Sequence, residues 1–419
     1  MKKMTVLICM FVLSFGLPAQ ETQTSSLEDV GRKTQALESD ILKLKKLKIS
    51  GYIQSQYQYG EKEATLNVGT ANSDSEKSFN RVGIRRGRIK FTYEEGIASG
   101  VFQIDLTEKG VDIKDAYLNV KAPWLKSVQF RTGVFDRPFG YEISYSSSRR
   151  ESPERSAIFR TLFPQERDLG AMFILQAPQS SPWNVLKLEA GLFAGNGIKQ
   201  ETDNRKDFIG HLSGNKTIGD NMNVGLGASY YNGGVYQGSE NVYTMKDKGF
   251  VIDNNSSNKG KFAKREYFGL DAQYSLITSL GITQLRGEYL FGQQPGTAGS
   301  SKSPNASTLP ASDTYVRDFN GWYVMLVQDI GRLPFSAVLK YDSYDPNTKV
   351  KGDEIGQNGT SQTDLAKNTF GLGGIWKMNE NLLLQVFYEI NKNEKSNNVT
   401  GMNSDLEDNV FTTRLQYKF

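Results

Sequence analysis

The chain has 419 residues, a formal net charge of +4 at pH 7 from 50 Lys and Arg against 46 Asp and Glu, one histidine and one cysteine. This balance excludes a nucleic-acid binder driven by bulk basicity, and His and Cys are too scarce for a metal centre of the usual ligand sets. With a mean hydropathy of −0.49 and no apolar run of 18 residues, the composition also excludes a helical membrane protein.

At the N-terminus, Lys2 and Lys3 precede an apolar run from Met4 to Leu17 that stops at Pro18 and Ala19. This spacing predicts a secretory signal peptide over residues 1–19. Cys9 lies inside it, so the mature chain is expected to hold no cysteine, and its charge falls to about +2.

Residues 20–47 form the next expected unit. Leu27, Val30, Thr34, Leu37, Ile41 and Leu44 recur at alternating spacings of 3 and 4, the a and d positions of a short heptad helix. Two readings are open: a parallel bundle of several chains, or one helix packed on its own barrel. The basic run Lys43, Lys45, Lys46 and Lys48 reads as a solvated face.

Residues 48–419 read as one β unit. Strand candidates fall at 49–59, 81–93, 100–107, 113–121, 127–135, 168–176, 184–193, 206–213, 222–231, 264–275, 282–292, 318–330, 334–345, 368–377, 382–391 and 408–419. Sixteen is an even number, as a closed antiparallel barrel with both ends on one side requires. The connections alternate long and short, with 108–112 the exception, being short where a long loop is due. A soluble sandwich has no reason to sort its loops by parity. The 41 Gly, 20 Tyr and 23 Phe beside 12 Pro suit the same fold, an all-β, sixteen-stranded antiparallel transmembrane barrel.

Within the strand at 81–93, turning Ile89, Phe91 and Tyr93 toward lipid places Arg86, Arg88 and Lys90 together in the lumen. Cations about 7 Å apart on one strand repel by about 0.6 kcal/mol in water and about 2.4 kcal/mol at an effective dielectric of 20. A passing anion or the inward-facing Asp105, Asp115 and Glu288 would offset that repulsion, and both readings stay open. The strand at 127–135 adds Arg131.

The loop at 136–167 carries Arg137, Arg149, Arg150, Arg155, Arg160 and Arg167 against Asp136, Glu142, Glu151, Glu154 and Glu166. Phe139, Tyr141, Tyr145, Ile158, Phe159, Leu162 and Phe163 make it too apolar for a solvated tip. It is expected to fold into the barrel and narrow it, the rival being an external loop packed at a subunit contact.

The single His211 shares a strand face with Asp207, but no nucleophile motif surrounds it, so no enzyme is expected. Gly371-Leu372-Gly373-Gly374 lies inside a strand candidate and is no phosphate cradle. Loop segments 251–260 and 293–312 read as simply solvated. The chain ends on Phe411, Thr413, Leu415, Tyr417 and Phe419 along one face, the end expected of a chain handed to barrel-assembly machinery and anchored by its terminal aromatic in outer-membrane lipid.

Taken together, these residues resemble the phosphate-selective porins O and P. The resemblance runs through the heptad helix, Leu47 to Gln54, the basic strand, Lys114 to Leu118, Gly133 to Gly140, Pro153 to Ser156, Arg167 to Gly170, Gly191 to Gly195, Arg286 to Tyr289 and Gly321 to Tyr323. It implies a homotrimeric anion porin in the outer membrane of a Gram-negative bacterium, with an arginine ladder in the pore wall and a constricting third loop. Phosphate or related oxyanions would be its leading substrates, taken without a cofactor. The candidate anion-binding residues are Arg86, Arg88, Lys90, Arg131, Arg137, Arg149, Arg150, Arg155 and Arg160. A general porin without phosphate preference, and a barrel acting as scaffold or adhesin through its long loops, are the alternatives.

Overall fold

The computed structural model describes residues 27–125 and 127–419. The expected leader therefore lies outside the described residues. The chain divides into two units, the second beginning at Leu47. In the first, α1 (Leu27–Lys45) is a single helix whose Val30, Leu37, Ile41 and Leu44 are all exposed.

Among the described residues the second unit holds eighteen strands: β1 (Leu47–Gly60), β2 (Phe79–Glu95), β3 (Ala98–Thr107), β4 (Gly110–Lys121), β5 (Val128–Asp136), β6 (Arg167–Gln176), β7 (Leu186–Phe193), β8 (Asp207–Ile218), β9 (Met222–Tyr236), β10 (Asn241–Lys246), β11 (Gly249–Asn254), β12 (Phe262–Thr278), β13 (Gly281–Gly296), β14 (Thr314–Asp329), β15 (Phe335–Asp345), β16 (Lys367–Lys377), β17 (Leu382–Asn393) and β18 (Val410–Lys418). Sixteen of them form an antiparallel ring that closes where β1 meets β18, from Tyr52 opposite Lys418 to Gly60 opposite Val410. All sixteen coincide with the strands expected from alternation. The remaining two, β10 and β11, form a hairpin in the connection between β9 and β12, which pair directly. Segment 251–260 is thus partly strand and not simply a solvated loop, because Val242 packs with Ala263 and Val316 and holds the hairpin down.

The alternation that predicts the strands also builds the barrel's two faces. Ile49, Ile53, Phe91, Phe102, Leu118, Phe173, Leu226, Leu270, Leu372 and Leu415 are exposed on its outside, as a lipid-facing belt requires. Aromatic ladders rim it: Phe335 and Trp376 stack at 6.0 Å near the short turns, and Phe208, Tyr230, Phe268 and Phe291 follow one another nearer the long loops.

Two β-bulges break the alternation. Between β1 and β2 the register steps from Gln54 opposite Arg86 to Ser55 opposite Ile84, so Arg85 is an extra residue. Between β3 and β4 it steps from Gln103 opposite Asp115 to Ile104 opposite Ile113, which makes Lys114 the extra one. Each bulge turns two consecutive side chains inward, Arg85 with Arg86 and Lys114 with Asp115. Backbone donors that lose ladder partners near the first bulge are satisfied by carboxylates: Ile84 N–H donates to Glu108 at 2.9 Å and Gly87 N–H to Asp105 at 3.1 Å.

Candidate functional site: the barrel constriction

The connection from β5 to β6 enters the barrel and crosses it. Gly140, at φ +62°, turns the chain inward; a Cβ here would meet a Glu288 oxygen at 2.1 Å, so only glycine fits. The same Glu288 carboxylate then accepts N–H bonds from Tyr141 (2.8 Å) and Glu142 (2.6 Å), pinning the loop to β13. On the opposite wall Gln54 donates to Ser147 O at 3.0 Å, and Arg414 of β18 donates to Pro153 O at 2.9 Å. Contacts with opposite walls rule out the external-loop reading. The loop also forms α2 (Ala157–Leu162), too short to leave a periodic signal in sequence.

Apolar residues decide which part of the lumen the loop fills. Phe139, Ile143, Ile158, Phe159, Leu162 and Phe163 pack with Tyr231, Tyr267, Phe319 and Tyr323 into a buried cluster on the β9–β14 side. Ring distances of 5.0 Å for Phe139–Phe163 and 5.7 Å for Phe163–Tyr267 are those of interlocked aromatics. This side of the barrel is a dry core. Space and charge remain toward β1–β5 and β15–β18.

The centre of the charged side is Glu154 near the loop's tip. Arg85 grips its carboxylate with both arms, Nε at 2.7 Å and Nη2 at 2.8 Å, while Arg86 donates at 3.0 Å and Arg414 at 3.1 Å. Each oxygen of Glu154 thus accepts two charge-assisted bonds. Burial alone would raise the pKa of this group, but Arg85, Arg86 and Arg414 outweigh it and hold the carboxyl well below its usual range.

The remaining candidates divide by partner. Arg88 donates to Asp105 at 3.1 Å and to Ser147 Oγ at 3.0 Å. Lys90 has no ion-pair or hydrogen-bond partner among the described residues and faces a cavity of about 230 Å³. Arg131 lies over the ring of Tyr117 at 4.6 Å. Arg137 is buried and donates to the backbone oxygens of Glu166 and Pro164, bracing the loop's exit instead of lining open lumen. Arg155 donates at 2.8 Å to the carbonyls of both Glu142 and Ile143 and pairs with Glu166, strapping the loop's two limbs together while edging the same cavity. Arg149 is exposed. Arg150 is only 5% exposed, yet none of its three guanidinium nitrogens has a hydrogen-bond partner. Arg160, on α2, is exposed beneath the long loops.

Sequence reasoning passed over Arg85 and Arg414 as site residues. The shift of apolar phase in β2, from Val82 and Ile84 to Ile89, Phe91 and Tyr93, is the signal that reveals Arg85 as bulged inward. Arg414 sits 260 positions from Glu154, and only barrel closure brings them together. His211 bonds Asp271 at 3.0 Å, whereas Asp207 pairs with Arg265 and accepts from Tyr231.

Cavities lie on both faces of the loop. The 230 Å³ cavity, at the chain-terminal end, is lined by five cations (Arg88, Lys90, Arg155, Arg167, Lys418) and two carboxylates (Asp115, Asp136). One of about 620 Å³, at the long-loop end, has Arg160, Lys302 and Lys367 and no carboxylate among the described residues that line it. A third, of about 110 Å³, holds Arg149, Arg150, Lys377 and Arg414 against Glu151 and Asp329. All three carry an excess of positive charge.

No protein-family profile and no curated protein sequence matches the chain. Solved structures do. OmpF of Salmonella typhi, in complex with daunomycin, aligns with a TM-score of 0.55 at 12% identity over 89% of this chain and 97% of that one. The outer-membrane channel DcaP of Acinetobacter baumannii gives 0.52 at 12% identity over 89% and 97%. The trimer form of the outer-membrane protein OmpT of Vibrio cholerae gives 0.51 at 10% identity over 89% and 99%. At such identities the likeness is one of fold: this chain has the sixteen-stranded porin barrel.

Proposed function

We propose that this chain is an outer-membrane porin of a Gram-negative bacterium, through which small anions diffuse passively, with phosphate-type oxyanions leading. The observation that carries the reading is the positive excess around the three cavities that border the loop, above all the 620 Å³ space lined by Arg160, Lys302 and Lys367 without a carboxylate among its described residues. Low-dielectric walls lined by one sign of charge concentrate the counter-ion. Several moderate sites release an ion faster than one tight site, as conduction requires. The long loops face outward and the short turns the periplasm on this reading.

The phosphate preference rests on the sequence resemblance, through the basic strand and the motifs at Gly133–Gly140 and Pro153–Ser156. A homotrimer is supported by the exposed apolar stripe on α1 and by the trimer form of the V. cholerae structure. One observation favours a second reading, a general porin without phosphate preference: Arg86 and Arg88 are paired with Glu154 and Asp105, which spends much of the ladder's charge inside the wall.

Reversal potentials of the reconstituted channel across a potassium chloride gradient, with phosphate added to one side, separate the readings. Anion preference with block of chloride current by phosphate supports the oxyanion channel. Anion preference without block leaves the general porin. Absence of conductance leaves a scaffold.

A further inference from the structure

We propose that Glu154 is a resident occupant of an oxyanion-binding cage: the loop's own carboxylate fills a site built for a permeant oxyanion, and exchange between the two sets how strongly the channel holds its substrate. The proposal rests on the anion-channel reading and names a specificity-determining residue within it.

The geometry points this way on three counts. First, four N–H groups from Arg85, Arg86 and Arg414 converge on two oxygens at 2.7 to 3.1 Å, a coordination that any tetrahedral oxyanion with two free oxygens reproduces. Second, the cage has more positive charge than one carboxylate offsets. Three guanidinium groups meet a single Glu154, and Arg150, nine-tenths buried and without a hydrogen-bond partner, shares the adjoining cavity with Arg414. A unit carrying two negative charges matches this surplus better than a carboxylate does. Third, the wall was reshaped to make it. Only the bulge in β2 turns Arg85 inward beside Arg86; regular pairing would send it to lipid.

The cage is also reachable and its occupant displaceable. The Arg85 side chain keeps 24% of its exposure, so the site opens to the lumen. Glu154 reaches it from a loop segment, Ser152 to Glu154, outside any helix or strand, where the carboxylate is able to swing without breaking a ladder. Asp271 on β12 serves as an internal control: it is a buried carboxylate that bonds His211 at 3.0 Å and accepts from Gln273 at 2.7 Å, and it lines none of the three cavities.

The test compares wild type, Glu154→Gln and Asp271→Asn as full-length barrels. Heat-modifiable gel mobility gives the unfolding midpoint in chloride and in phosphate or sulfate of equal ionic strength. Glu154→Gln should be destabilised in chloride and recover by several degrees in either oxyanion at about 100 times its dissociation constant, with the midpoints of wild type and Asp271→Asn independent of the anion. In bilayers its chloride current should be half-blocked at about tenfold lower phosphate than wild type, a change on the scale of one charge removed at close range. Equal shifts in the two variants, or no oxyanion dependence in a folded Glu154→Gln barrel, would overturn the cage. If that variant folds in neither salt, Glu154→Asp decides by the same midpoint shift, present or absent. A wild-type channel that prefers cations fails the anion reading separately, because the midpoint measurement needs no conductance.

Discussion

The ring of Phe419 lies against Gly51. A Cβ at position 51 would fall 2.6 Å from the ring's Cζ, and the two residues exchange backbone hydrogen bonds of 3.0 Å in each direction. The chain's last residue therefore seals the barrel against its first strand, with its side chain on the outer surface. Removing Phe419 is expected to slow assembly more than it alters the finished pore, since one ladder pair and one lipid-facing anchor are lost from a complete ring. Pulse-chase assembly in cells reads the rate; unchanged kinetics would refute the expectation.

Gly51→Val tests the same seam from the other side. The added side chain must displace the Phe419 ring and the Arg88 carbonyl oxygen, only 2.4 Å from the new Cβ. Overpacking of this kind costs about 1–3 kcal/mol. The heat-modifiable midpoint should fall while reversal potential stays fixed, because Gly51 points away from the charged side chains.

Deleting residues 24–46 is expected to weaken oligomerisation and leave the barrel folded. Val30, Leu37, Ile41 and Leu44 leave between 48% and 66% of their surface exposed, and a lone helix of this length is marginal in water. Native mass against that of the full-length barrel measures the effect. An unchanged trimer would remove the helix bundle from the account.

The sequence disclosed strands far better than partners, and the reason is physical. A lipid-facing belt forces residues such as Phe91 and Tyr93 into strict alternation, so strand positions are written locally. The inward course of the 136–167 loop was legible for a related reason: Phe139, Phe159 and Phe163 need a dry environment that no solvated tip offers. Partnerships are not local. Nothing about Arg137 or Arg155 as residue types reveals that their guanidinium groups serve backbone carbonyls. The pairing of Arg85 with Glu154 depends on a bulge and on a loop crossing the lumen. Hairpin β10–β11 escaped because its short strands of six residues sit among Asn, Ser and Lys.

Replacing Arg86 and Arg88 together by Ala should lower anion over cation permeability and also destabilise the barrel. Both guanidinium groups are buried, and removing them strips partners from Glu154 and Asp105. Breaking a buried pair from one side costs about 3–5 kcal/mol, because the surviving charge stays desolvated. Arg85 and Arg414 remain on Glu154, so Asp105 should bear the larger loss. Midpoints for the two single variants separate these contributions; a double variant as stable as wild type would contradict the pairing.

Lys90→Gln provides the contrast, since Lys90 faces the 230 Å³ cavity with no ion-pair partner among the described residues. Its charge acts on the ion and on no carboxylate in contact. Losing it should remove on the order of 1 kcal/mol of attraction for an anion about 6 Å away, and less in 1 M salt, where screening falls to about 3 Å. Selectivity should drop by several-fold at low salt with the unfolding midpoint unmoved. Reversal potentials recorded at two ionic strengths, beside the heat-modifiable midpoint, check both halves. A fall in stability equal to that of Arg88→Ala would mean that Lys90 is engaged in the wall and not offered to the lumen.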